Sequence, residues 1–103
     1  MNYRQANENI SIKEVLESFS LFPSKEHPKT AYYYAINQQE RTPSLLVNYV
    51  KNIAFDFGTG KQYDVVSIIQ DLKQCSVSDA LESLKRFAFS FQKQKEDLIN
   101  GKQ

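Results

Sequence analysis

The side chains able to do chemistry are few and scattered. The chain has one histidine, His27, and one cysteine, Cys75. A structural zinc ion needs about four thiolate, imidazole or carboxylate ligands, and a lone thiol cannot close an internal disulfide. His27 lies in a polar stretch and reads as solvated, whereas Cys75, following a helical pattern, reads as a small buried hydrophobe. Asp56 and Asp64 are eight positions apart, but no second histidine and no nucleophile with a base makes an acid–base set of them. No catalytic residue is predicted. Gly58-Thr59-Gly60-Lys61 has the glycines and lysine of a phosphate loop without its G-x-x-x-x-G-K-[ST] spacing, since Gln62 follows the lysine.

Another chemistry needs no catalytic set. Single-stranded nucleic acid is held by aromatic faces that stack bases and cations that follow phosphates. Arg41, Lys51 and Lys61 in connecting segments, with Tyr33 and Tyr63 as aromatic neighbours, are the candidates for that role. The competing reading of these cations is ordinary solvated loop charge. A net charge of +1 does not mark a nucleic-acid protein. Its distribution leans the other way, because five cations face three carboxylates between Ser24 and Gln62.

These residues must be positioned by a small fold. With 103 residues, 41 % of them apolar, the chain can build one core with little to spare. No apolar run approaches the roughly 20 residues of a membrane span and no leader pattern opens the chain, so a cytoplasmic protein is expected. Ser11-Ile12-Lys13-Glu14 is a capping-box pattern. Behind it Ile12, Val15, Leu16 and Phe19 form the stripe of an amphipathic helix. Pro23 and Pro28 bracket a polar surface loop.

Strand signals then take over. Residues 31–36 are rich in tyrosine. Leu45, Val47 and Tyr49 alternate with polar or oppositely directed neighbours, as do Ile53, Phe55 and Phe57. The short Val50-Lys51-Asn52 link predicts an antiparallel hairpin, and Gly58 to Lys61 a turn. Asp64 is placed to cap a helix striped by Val65, Ile68, Ile69 and Leu72. Ser76 begins a last helix with Val77, Leu81, Leu84, Ala88 and Phe91 on its apolar face. The expected class is α+β: a small antiparallel sheet flanked by an N-terminal helix and two C-terminal helices. Residues 1–91 form the module and 92–103 a polar helix end or linker. Alternation sends Tyr32 and Tyr34 to one face of the sheet and Tyr33 to the other, so an open face offers either Tyr33 or the Tyr32/Tyr34 pair for stacking.

Glu40-Arg41-Thr42-Pro43-Ser44, then Phe57-Gly58, Gly60 and Asp64 ahead of an apolar helix, together resemble the CHC-type zinc-binding domain of bacterial DNA primases. That family carries Cys-Pro-x-His before Glu-Lys-Thr-Pro-Ser-Phe, then Cys-Phe-Gly-Cys-Gly, then Gly-Gly-Asp before a helix. The match covers roughly residues 10–87. It departs at Leu45, which stands for Phe, and at Gln62-Tyr63, which stand for Gly-Gly.

The four ligand positions hold Ala35, Gln38, Asp56 and Thr59. The resemblance therefore implies a zinc-ribbon-like fold in a degenerate, metal-free form, with no cofactor. Structural zinc contributes about 10–16 kcal/mol in zinc-finger peptides, against about 1.5–3 kcal/mol per buried large side chain. Tyr32, Tyr33, Tyr34, Tyr49, Phe55 and Phe57 are the aromatics expected to offset that loss in the core, the competing role of base stacking falling to Tyr33 or the Tyr32/Tyr34 pair. The function implied is a non-catalytic template-recognition module for single-stranded DNA in a replication or mobile-element protein. A primase catalytic domain or helicase is the expected protein partner. The rival expectation is a protein-docking module that gave up DNA together with the metal.

Overall fold

The computed structural model describes residues 2–34 and 43–87. Helix α1 spans Tyr3–Asn9, α2 Ile12–Ser18 and α3 Val65–Lys73, and a fourth helix, α4, runs over 77–87. Strands β1 (Lys25–Glu26), β2 (Thr30–Tyr33), β3 (Leu45–Asn48), β4 (Ile53–Asp56) and β5 (Lys61–Tyr63) form one antiparallel sheet in the order β1-β2-β3-β4-β5. The α+β class expected from the sequence is what the chain adopts.

Three elements form for the reasons legible in the residues. The Ser11 hydroxyl accepts from the Glu14 amide at the start of α2. Asp64 caps α3 in a reciprocal box with Ser67. The β3–β4 hairpin turns through Tyr49 to Asn52, and the Asn48 side chain accepts from the amides of Val50 and Lys51. Asn52 takes a left-handed conformation, φ 60°, which asparagine tolerates better than most residues.

Other elements depart from the sequence expectation. Helix α1 has almost no apolar stripe, with Ala6 its one buried residue. It is held by an Asn2/Gln5 capping box and by bonds to other elements. Tyr3 donates to Asp64 at 2.7 Å, and the Asn7 side chain accepts from the Val65 amide. The polar loop after Pro23 contains β1, registered against β2 with Lys25 opposite Tyr32. The Gly58–Lys61 turn is shorter than expected, because Lys61 already pairs with Asp56 as the first residue of β5. Val77, placed by its spacing on the buried face of α4, is 41 % exposed; the expected Leu84 is buried, and Ala80 joins it there. Ala88, Phe91 and the tail 92–103 lie outside the described residues.

The helices cover one face of the sheet. Ala31, Tyr33, Leu45, Val47, Ala54 and Tyr63 are buried in a single core with Ile12, Val15, Leu16, Val65, Ile68 and Leu84. Cys75 packs against that core, as its small apolar character suggested.

A candidate nucleic-acid interface on the open sheet face

The alternate residues of the same strands face the other way. Register aligns Lys25, Tyr32, Leu46, Phe55 and Gln62 in one row across all five strands. Residues directly opposite in antiparallel strands share a face, so this row lies on the side away from the helices. Thr30, Asn48 and Ile53 form the neighbouring row. Phe57 follows β4, and its ring meets that of Phe55 edge-on, with centroids 5.0 Å apart at 72°. Tyr34 continues β2 and is 49 % exposed. None of Tyr32, Tyr34, Leu46, Ile53, Phe55 or Phe57 belongs to the core or packs against it.

Among the described residues, this face is therefore aromatic and nearly uncharged. Glu26 and Asp56 sit at positions that register with the covered rows, so among the described residues the open rows hold no carboxylate. A surface of this kind offers ring faces to planar partners without the repulsion a carboxylate would exert on a polyanion.

The described ones among the expected site residues fall elsewhere. Tyr33 and Tyr63 are 2 % and 5 % exposed, with their rings inside the core, so neither offers a face to a base. The Tyr33 hydroxyl lies 3.4 Å from that of Tyr49, which donates to Glu26 at 2.6 Å. Tyr63 donates to Asp71 at 2.6 Å. Burial, followed by the hydrogen bond to Asp71, pushes the Tyr63 hydroxyl well above its ordinary pKa. Lys61 points to the helix side. Its ammonium bonds both oxygens of Asp71, at 3.1 and 3.0 Å, and lies 5.0 Å above the Tyr63 ring. Burial alone would raise the Asp71 carboxyl, but the donors Tyr63 and Lys61 outweigh it and hold the group below the usual value. Lys51 is exposed in the β3–β4 turn. Arg41 lies outside the described residues.

Aromatics expected in the core divide in the same way. Phe57 is 62 % exposed and Tyr34 49 %, so neither offsets a missing metal by burial. Tyr49 packs partly against the core. The signal that separates the faces was present in the cross-strand partners. Ala31, Val47 and Ala54 form, with Tyr63, a continuous apolar row on the covered face.

Among solved structures, the chain matches the crystal structure of the Aquifex aeolicus primase, zinc-binding and RNA polymerase domains, with a TM-score of 0.71 at 20 % identity. The match covers 82 % of this chain and 21 % of that one. The fold is that of a primase zinc-binding domain. No family model matches the chain, and no curated protein does. This chain spans about a fifth of the length of the primase structure it matches.

The zinc-ligand positions implied by the sequence resemblance are Ala35, Gln38, Asp56 and Thr59. Ala35 has no donor atom, and Ala35 and Gln38 lie outside the described residues. Asp56 is 4 % exposed and already committed, its Oδ1 accepting from the Ser44 hydroxyl at 3.3 Å and the Gly58 amide at 2.8 Å. Thr59 is exposed and accepts from the Lys61 amide. Among the described residues no three His, Cys, Asp or Glu side chains converge. One committed carboxylate and a hydroxyl do not make a zinc donor set. The residues do not fit the ion. Asp56 instead ties the turn after β4 to the segment before β3, a carboxylate-centred turn in the manner of an Asx motif.

Proposed function

We propose that the chain is a metal-free, primase-type DNA-binding module that takes single-stranded DNA on the open sheet face. The observation that carries this reading is the group of exposed or half-buried rings, Tyr32, Tyr34, Phe55 and Phe57, standing outside the core. The primase-like fold supports the assignment to template recognition. The module has no chemistry of its own and serves a longer replication or mobile-element protein in the cytoplasm, ahead of a catalytic primase domain. Fluorescence anisotropy with a labelled single-stranded oligonucleotide tests it. The wild type is expected to bind at low salt and a Tyr32→Ala/Phe55→Ala double variant to lose most of that binding. A wild type that fails to bind at low salt would sink the reading.

One observation favours a second reading. With a net charge of +1, the same apolar face suits a protein partner such as a helicase or polymerase. Absence of DNA binding, together with a helicase or polymerase complex that Phe55→Ala abolishes, would select that reading.

A further inference from the structure

The described cations are largely absent from the open face. Lys61 is on the covered side, clamped by Asp71. Lys13 is 3.3 Å from Glu26 and lies over the ring of Tyr49, a residue packed against the core. Arg4 pairs with Glu8 along α1. Lys51 and Lys29 belong to turns at one end of the sheet, where the Tyr49 amide donates to the Lys29 carbonyl. Among the described residues, Lys25 is the cation that register places in an open row, beside Tyr32. Among the described residues, four aromatic rings therefore share the face with one ammonium.

We infer that this face recognises unpaired nucleobases through its rings, with Lys25 the one described cation placed to meet a phosphate. The inference rests on the proposed DNA-binding function and narrows its ligand to a strand whose bases are turned out and free to stack. Tyr32 and Phe55 are separated by Leu46 on the intervening strand. That separation is two strand spacings, about 10 Å, so they act as two platforms and not as one stack. Phe57, edge-on to Phe55, widens the second platform. A duplex, whose bases are already stacked on each other, has no free ring face to offer.

Salt dependence and abasic substitution separate bases from backbone. Each neutralised phosphate on a single strand contributes a slope of about −0.7 in log K against log salt. Anisotropy is measured with an oligothymidine and with an abasic oligonucleotide of the same length and charge, from low to physiological salt. The oligothymidine is expected to bind with a slope near −0.7 and the abasic strand at least about tenfold more weakly. Tyr32→Ala and Phe55→Ala should each weaken thymidine binding by about tenfold with the slope unchanged. Lys25→Ala should flatten the slope. Equal binding of both strands, with a slope of about −2 or steeper, would overturn the inference and leave the proposed function standing. If neither strand binds at low salt, the proposed function fails and the inference with it.

Discussion

The two faces of the sheet are built from the same strands and nearly the same residue types, and they end in opposite states. On the covered face Tyr33 and Tyr63 are sealed in the core and their hydroxyls are spoken for by Tyr49 and Asp71. On the open face Tyr32, Tyr34, Phe55 and Phe57 stand outside the core. The contrast teaches that an aromatic strand does not declare its purpose. Its place in the register does: Ala31, Val47 and Ala54 share a row with Tyr63 beneath the helices, and Tyr32, Leu46 and Phe55 share the row on the other side.

The largest expected effect tests that asymmetry directly. Leu45 is 1 % exposed and its neighbour Leu46 is half-buried on the opposite side. Leu45→Ala should cost about 2–5 kcal/mol and Leu46→Ala no more than about 1 kcal/mol, read from urea unfolding midpoints at constant slope. Equal losses would mean that both faces are packed and the open site does not exist.

Next in size is the Asn52 side chain, which holds the covered face to the helices. It accepts from the Ile12 amide at 2.7 Å and donates to the carbonyls of Asn7 and Ile10 at 2.9 and 2.7 Å. Asn52→Ala strands these groups and forces alanine into a left-handed conformation, at a cost of about 1–3 kcal/mol. Asn52→Gly keeps the backbone and loses only the bonds. If glycine restores full stability, the side chain does not tie the two together.

A smaller effect is set by acid. The Asp71 carboxyl titrates below its ordinary value of 3.8 because Tyr63 and Lys61 bond its charged form. A depressed carboxyl contributes stability that is present above the unfolded value and lost as pH falls through the folded one. Asp71→Asn should therefore remove part of the destabilisation seen below about pH 4, and melting temperatures across that range would show it. An identical acid profile in the variant would detach Lys61 from the covered face and return it to the free cations.

The smallest stability change should accompany a clear binding change. Phe57→Ala is expected to move stability by less than about 0.5 kcal/mol while weakening oligothymidine binding. A large loss of stability with intact binding would place this ring in the core.

Much of this fold is legible in the residues alone. Helices α2 and α3 carry both a cap and a helical stripe, and the β3–β4 hairpin carries two alternating runs joined by a short polar link. Helix α1 and strand β1 lack such stripes and runs. They exist because distant partners hold them, Asp64 and Val65 for α1 and Tyr32 for β1. Local pattern cannot report such partners, although Asn2 with Gln5 three residues later is a readable cap. The site is half legible. Alternation separates Tyr32 and Tyr34 from Tyr33, but choosing the exposed set requires knowing where the helices pack. Lys61 escapes for a related reason: it is exposed, as a turn residue would be, but as the first residue of β5 it reaches Asp71 on α3.

The Asn52 tie bears on how the molecule opens. The Ile12 amide receives its acceptor from a residue forty positions away, and that acceptor is positioned only while the hairpin turn is intact. Its hydrogen exchange should therefore follow the opening of the β3–β4 hairpin and not the fraying of its own helix. The first turn of α2 thus reports, through one proton, on a motion elsewhere in the chain.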